Sequence, residues 1–217
     1  MNCIVIAGGR LDAARTRTWH QRIFSLLKTA DLIIAADSGA GYMRQSGYLP
    51  HVIIGDLDSI DPDTLAFFQE NKVPIQTHPP RKNQTDMELC LAYANARHAT
   101  HITILAATGT RMDHTLANIL LLLPLAKAGI SARIMDANNE ICVVTDRLTL
   151  TGAPGDLVSL IPVTATVQGL TLQGLSYPLD NHTLSMGSTL GISNCFSESR
   201  AKIQVRSGTL LVIRSMD

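Results

Sequence analysis

Short runs of branched apolar residues alternate with longer stretches of helical spacing over the first two-thirds of the chain. Near-continuous valine, isoleucine and leucine is typical of strands that are buried on both faces. The alternation predicts right-handed βαβ units, and therefore an α/β domain whose mainly parallel sheet carries flanking helices. The predicted strands are residues 3–7, 32–36, 52–54, 75–77, 102–106 and 132–135.

Five helices are predicted between these strands. Asp61 followed by Pro62 is a typical helix start, with an N-cap and a first-position proline. Gly129 is a typical C-cap. The predicted helices are residues 18–28, 40–46, 62–71, 86–97 and 114–128.

The pattern changes near residue 146, where glycine, serine and threonine become frequent. Short apolar runs at 148–150, 157–161, 164–170, 184–186, 203–205 and 210–213 are separated by turn signals. Such spacing predicts a small antiparallel β-sandwich. We therefore predict two domains, residues 1–145 and 146–217.

Composition and charge narrow the possible partners. Lysine plus arginine and aspartate plus glutamate are 18 each, which argues against a nucleic-acid or anionic-membrane surface, so any phosphate site should be local. The most apolar segment, 116–128, is too short to span a membrane, and no signal peptide is evident. Four scattered cysteines without metal spacing indicate a reducing compartment, and we expect a cytoplasmic protein.

Two aspartates two positions apart follow the third predicted strand. If the extended geometry continues past Gly55, the side chains of Asp56 and Asp58 leave the same face. Converging carboxylates repel unless a cation lies between them, and Mg²⁺ commonly takes one or two carboxylates together with substrate phosphates. The pair predicts a metal site for phosphate chemistry, although the same spacing also occurs in solvated turns.

Three more aspartates lie after predicted strands or at the start of a predicted helix. Asp37 follows the second strand, and Asp113 follows the fifth through a loop. Because ligands of open α/β sheets bind at the carboxyl ends of strands, these acids are expected to line one crevice. Asp86 also fits a structural role, since Thr85 and Glu88 have capping-box spacing and a first-turn acid suits the helix dipole. The same helix start is a natural phosphate site.

Five motifs occur in order: Ala36-Asp37-Ser38-Gly39-Ala40, Gly55-Asp56-Leu57-Asp58-Ser59, Thr85-Asp86, Gly109-Thr110-Arg111-Met112-Asp113-His114 and Gly191-Ile192-Ser193-Asn194. This order resembles the thiamine pyrophosphokinase family over nearly the whole chain. The resemblance implies transfer of the pyrophosphoryl group of ATP to the hydroxyl of thiamine, giving thiamine diphosphate and AMP. It also implies a nucleotide-binding α/β domain, a β-sandwich that binds thiamine, and a homodimer with thiamine near the subunit contact.

The resemblance and the charges together predict roles in the first domain. Asp56, Asp58 and Asp86 are expected to hold one or two Mg²⁺ ions on the triphosphate. Asp113, the fourth predicted catalytic residue, is expected to position or deprotonate the thiamine hydroxyl. The predicted nucleotide-binding residues are Asp37, Lys82, Gln84, Thr85 and Arg111. Lys82 fits a solvated loop lysine equally well, and Asp37 fits a helix N-cap.

In the second domain, Ser188, Ser193 and Asn194 are expected to bind the aminopyrimidine of thiamine, as the resemblance implies. Some relatives stack thiamine on a tryptophan of this domain. The single tryptophan here lies in the first domain, which leaves Tyr177 and Phe196 as alternatives.

Two other functions fit part of the pattern. Haloacid-dehalogenase-like phosphatases also use Asp-x-Asp, but theirs closes the first strand of the domain, whereas this one follows the third predicted strand. A thiamine or nucleotide sensor would keep the fold without the chemistry. Five aspartates in the predicted crevice argue against a sensor, because binding alone has less need for clustered anions.

Overall fold

The computed structural model describes residues 1–11 and 17–215, which form two compact units. The first unit is Met1–Ala137 and the second is Asn138–Asp217. The division falls before the residues where composition changes, because β7 (Asn139–Val144) belongs to the second unit.

Six parallel strands form the sheet of the first unit, in the order β6-β5-β1-β2-β3-β4. The predicted parallel arrangement is confirmed, and all six predicted strands are present. Their core includes the branched residues that gave the prediction, and β2 is buried at every position. The strands are β1 (Asn2–Ile6), β2 (Leu32–Ala36), β3 (Val52–Gly55), β4 (Ile75–Thr77), β5 (His101–Leu105) and β6 (Ser131–Met135).

The described helices of this unit are α1 (Arg17–Thr29), α2 (Gly39–Ser46), α3 (Pro62–Glu70), α4 (Asp86–Ala96), α5 (Met112–Leu120) and α6 (Leu122–Lys127). The predicted cap of α3 is confirmed, since the Asp61 carboxylate accepts a hydrogen bond of 2.8 Å from the Thr64 amide. The prediction of one helix over 114–128 was wrong. Pro124 has no amide hydrogen and its ring clashes with the carbonyl four residues earlier, so α5 ends at Leu120.

The strands of the second unit pair antiparallel in the orders β12-β9-β14-β7 and β11-β10-β13-β8. They share a core of alternating apolar residues, among them Leu160, Val167 and Ile203. The predicted antiparallel unit is confirmed, whereas β7 and β12 were not predicted. The remaining strands are β8 (Arg147–Thr151), β9 (Leu157–Pro162), β10 (Thr166–Gln173), β11 (Leu179–Ser185), β12 (Asn194–Cys195), β13 (Arg200–Gln204) and β14 (Leu210–Ser215).

Within the described residues, no helix has both the length and the apolar character needed to cross a membrane. The tryptophan that the sequence places in the first domain belongs to its core, and the Trp19 indole donates to the carbonyl of Leu11 at 2.7 Å.

Candidate active site

A cavity of about 600 Å³ opens at the carboxyl ends of the first unit's strands. Its walls are the segments that follow β1, β2, β3 and β5, together with the start of α4. Strand polarity explains the placement, because parallel strands present all their carboxyl ends at one edge. The predicted site residues that line this cavity are Asp37, Asp56, Asp58, Lys82, Gln84, Thr85, Asp86 and Arg111.

Three carboxylates converge in this cavity. Asp37, Asp56 and Asp58 each offer an oxygen atom, and these oxygens lie within 4.8 Å of one another. The Oδ1 atom of Asp37 is buried and makes no hydrogen bond to the described residues. Hard oxygen donors this close suit a cation such as Mg²⁺, so the residues present fit the predicted metal.

Asp37 occupies an unfavourable position for a carboxylate. Burial raises its pKa, hydrogen bonds with Ser59 and Ser38 oppose the rise, and the charges of Asp86 and Asp56 add to it. Its backbone is left-handed, with φ of 45°. A bound cation would remove this electrostatic cost.

The Asp-x-Asp pair converges through a turn and not through an extended strand. The extended geometry does not continue past Gly55, because β3 ends there and Leu57 has φ of 68°. The Asp58 amide points toward the Asp56 carboxylate, with a nitrogen to oxygen distance of 3.4 Å. Desolvation opposes the ionised form of Asp56, but hydrogen bonding with Asp58 and the charge of Lys82 lower its pKa overall.

Lys82 connects the acidic turn to helix α4. Its Nζ lies 2.9 Å from Asp86 Oδ1 and 3.4 Å from Asp56 Oδ2. Thr85 is the N-cap of α4, with its hydroxyl accepting from the Glu88 amide at 3.2 Å. Asp86 therefore faces the cavity as an ion-pair partner of Lys82. The three converging carboxylates include Asp37 and do not include Asp86. The predicted role of Asp86 as a metal ligand stays a prediction.

Glycines bring the loops of the cavity into close contact. A Cβ at Gly55 would lie 2.9 Å from the Cβ of Asp37, and one at Gly9 would collide with the carbonyls of Ala106 and Thr108. The Tyr42 hydroxyl donates to the Gly9 carbonyl at 2.6 Å, and the Asn118 amide donates to Ala107 at 2.8 Å. Sequence reasoning missed Tyr42 and Asn118, since a neutral residue on a helix gives no signal of a partner distant in sequence.

Arg111 and Asp113 form an exposed bidentate ion pair, with nitrogen to oxygen distances of 2.7 and 3.3 Å. The hydrogen bond with Arg111 is the main reason that the pKa of Asp113 falls to about 2. Arg111 lines the cavity, whereas Asp113 is not among its lining residues. A carboxylate with so low a pKa is a weak base at neutral pH.

The predicted thiamine-binding residues of the second unit lie in or beside the turn that precedes β12. Asn194 is buried, accepts from the amides of Tyr177 and Cys195 at 3.0 and 2.9 Å, and donates to the Tyr177 carbonyl at 2.8 Å. Ser193 is exposed, whereas the Ser188 hydroxyl is near the Leu190 amide at 3.3 Å. Of the two stacking alternatives, Tyr177 is 68% exposed and Phe196 belongs to the core.

Comparison with known proteins identifies the family. Residues 23–134 match the family described as thiamin pyrophosphokinase, catalytic domain, and residues 143–210 match its vitamin B1 binding domain. The thiamine pyrophosphokinase of Bacillus subtilis (strain 168) is 33% identical over 196 residues, 86% of this chain and 88% of that protein. The chain belongs to the thiamine pyrophosphokinase family.

Solved thiamine pyrophosphokinase structures share the fold. The crystal structure from Bacillus subtilis has a TM-score of 0.88 at 29% identity, with 100% of both chains covered. The structure from Geobacillus thermodenitrificans has a TM-score of 0.85 at 30% identity, covering 100% of this chain and 98% of that one. The match to the catalytic domain lies within the first unit, and the match to the vitamin B1 binding domain lies within the second.

Proposed function

We propose that this chain transfers the pyrophosphoryl group of ATP to the hydroxyl oxygen of thiamine, with thiamine diphosphate and AMP as products. Besides membership of the family, one structural observation supports the proposal. Three carboxylates converge at the carboxyl ends of β2 and β3, beside a lysine and a helix start. This arrangement suits a metal-bound triphosphate, because anionic ligands hold the cation while Lys82 and the amides of α4 contact phosphate oxygens.

The proposed metal is Mg²⁺, held by Asp56 and Asp58 together with Asp37 or Asp86. When bound, it supplies positive charge that neutralises the phosphate oxygens during transfer. The side chains of Lys82 and Arg111 bind the remaining phosphate oxygens. Gln84 and Thr85 line the same wall of the cavity and bind the nucleotide at the start of α4.

Asp113 is proposed to position the thiamine hydroxyl. Of the two roles predicted for it, positioning fits better than deprotonation, because a carboxyl group with a pKa of about 2 holds a proton weakly. Arg111 fixes the orientation of this carboxylate through its two hydrogen bonds.

The second unit is proposed to bind thiamine through Ser188 and Ser193, with Tyr177 as the stacking side chain. The support is their position in the domain matched as vitamin B1 binding, and the exposed ring of Tyr177. Asn194 acts through the backbone that it holds, since its oxygen already accepts from two amides.

A homodimer is also proposed. Met112, Leu116 and Leu120 form an exposed apolar stripe along α5, four residues apart, and the second unit exposes Leu190 and Ile192. Exposed apolar patches of this kind mark interaction surfaces. Light scattering at micromolar concentration is expected to give twice the chain mass, and a fully active monomer would contradict the proposal.

The activity is tested by incubating the protein with ATP, Mg²⁺ and thiamine and identifying the products by mass. AMP and thiamine diphosphate are the expected products. ADP with thiamine monophosphate would indicate a simple kinase. Ligand binding without turnover would indicate a sensor, and either result would overturn the proposed transfer.

A further inference from the structure

The ammonium group of Lys82 lies inside the acidic cavity where a cation is needed. Four aspartates line this cavity, and within the described residues every ion pair that they form is made by Lys82. The Lys82 side chain is only 14% exposed. The charge of Lys82 is therefore shared between Asp56 and Asp86.

The two partners of Lys82 belong to different elements. Asp56 lies in the turn after β3, and Asp86 lies in the first turn of α4, four residues after the lysine. Lys82 thus links the turn to the helix across the cavity wall. Such charge-assisted contacts are stronger in a partly desolvated site than at an open surface.

The lysine is held in its charged form. Its Nζ has carboxylate oxygens of both Asp86 and Asp56 within 3.4 Å, and two nearby negative charges favour the ammonium form. A divalent ion at the acidic cluster would be close to this ammonium group, because Asp56 belongs both to the cluster and to the ion pair. The two cations would repel each other and would compete for the same Asp56 oxygens.

We propose that Lys82 is the counter-ion of Asp56 and Asp86 before a divalent cation binds. When the cation binds, the ion pair between Lys82 and Asp56 breaks and Asp56 becomes available to the metal. This inference rests on the proposed metal site. The flexible four-carbon side chain of Lys82 allows its ammonium group to turn from Asp56 to a phosphate oxygen while it stays near Asp86. Lys82 is then a positioning residue whose charge makes metal binding depend on the nucleotide.

The test is a calorimetric titration of the nucleotide-free, chelator-treated protein with Mn²⁺ alone. Lys82→Gln is expected to bind Mn²⁺ about tenfold more tightly than the parent, since a repelling charge has been removed. The matched control is Arg81→Gln, which removes a neighbouring exposed charge of the same sign and is expected to change the affinity less than twofold. Equal effects of the two variants, or weaker binding by Lys82→Gln, would overturn the inference.

Thermal unfolding gives a second readout that a purely structural lysine would not produce. In the presence of chelator, Lys82→Gln should melt below the parent, and added Mn²⁺ should raise its melting temperature by more than it raises the parent's. Lys82→Arg keeps the charge and should restore the metal-free stability. A loss of stability that Mn²⁺ leaves unchanged would contradict the counter-ion role.

Asp58→Asn separates this inference from the proposed metal site, because Asp58 makes no ion pair with Lys82 within the described residues. If Asp58→Asn abolishes Mn²⁺ binding while Lys82→Gln leaves it unchanged, the metal site stands and the counter-ion role fails. If Asp58→Asn leaves Mn²⁺ binding unchanged, both fail.

Discussion

The acidic cavity of the first unit and the segment around Asn194 in the second unit both bury polar groups. The two sites differ in whether these groups are hydrogen-bonded within the protein. Asp37 keeps a buried oxygen that makes no hydrogen bond within the described residues. The Asn194 oxygen accepts from two backbone amides, and its amide donates to a carbonyl. Buried polar groups are nearly always hydrogen-bonded. A buried group that can still accept a hydrogen bond is therefore suited to a ligand, whereas a group whose hydrogen bonds are all made within the protein stabilises the fold.

The backbone of the cavity loops has unusual dihedral angles. Three loops of the cavity contain a non-glycine residue with positive φ, at Asp37, Leu57 and Ala106. In the second unit, Asp156 closes a turn by accepting from the Ala153 amide at 3.0 Å and from Arg214 at 2.7 Å. Positive φ also occurs outside the cavity, including at Ser193 beside Asn194, so hydrogen bonding and not backbone strain distinguishes the two sites.

The largest expected effect is on catalysis. Asp58→Asn, and likewise Asp56→Asn, should lower the rate of AMP formation at least about 100-fold in saturating Mg²⁺, because a charged metal ligand is lost. The chelator-treated Asp58→Asn protein should melt no lower than the parent, since neutralisation removes repulsion among the acids. Near-normal turnover by either variant would mean that the cavity acids are not the metal site.

The next effect is on stability. Asn194→Ala should lower the free energy of unfolding by about 1–3 kcal/mol in urea denaturation, because two partly buried amides and a carbonyl lose their partner. From the family motif alone, a loss of about 1–3 kcal/mol in thiamine binding is predicted for the same variant. The structure adds that such a loss would come through the displaced Tyr177 backbone.

Ser193→Ala is the matched control for that variant. The Ser193 side chain is exposed and adjacent, so the change should alter the stability by less than about 0.5 kcal/mol. If Ser193→Ala destabilised the protein as much as Asn194→Ala, the contrast between the two residues would be lost. Calorimetric titration of both variants with thiamine separates binding from folding.

A smaller effect should depend on pH. Hydrogen bonds from the Ala153 amide and then from Arg214 lower the pKa of Asp156. A lowered native pKa gives stability above the ordinary carboxyl value, and this stability is lost as the pH falls through the native value. Asp156→Asn should therefore cost about 1 kcal/mol at pH 7, and the difference from the parent should vanish in acid. A difference that stays constant down to pH 2 would exclude this linkage.

The smallest expected effect is a gain in stability, on substitution of Asp37. Burial raises the pKa of Asp37, so its ionised form costs stability at neutral pH, and this cost disappears as the pH falls below the ordinary carboxyl value. Without metal, Asp37→Asn should be slightly more stable than the parent at pH 7 and equally stable near pH 3. Asparagine tolerates the left-handed backbone, so no new strain is introduced. Destabilisation at pH 7 would show that the Asp37 carboxylate is already satisfied.

Much of the first unit was predictable because its signals are local. Branched apolar runs fixed the strands, and the order of strands placed Asp37, Asp56 and Asp86 at one edge. Pro124 is a local signal as well. Because proline disrupts a helix interior, it could have been used to predict the division between α5 and α6.

Other features depend on contacts between residues far apart in the chain. The pairing of Asn194 with Tyr177, or of Tyr42 with Gly9, leaves no periodicity in the sequence. A turn at Asp56-Leu57-Asp58 was one of the two predicted alternatives, but the positive φ of Leu57 was not predictable, because leucine rarely adopts it. β12 contains two residues, too few for any pattern to show.

The close packing at Gly55 affects how mutational scans of this chain should be interpreted. An alanine methyl group there would press on Asp37 at 2.9 Å, and one at Gly39 would collide with the Ile6 carbonyl. Both substitutions should abolish activity, although neither glycine has a functional group. A map of inactivating substitutions would thus count these glycines with the acids, and a parallel measurement of thermal unfolding would separate the residues that set spacing from those that contribute charge.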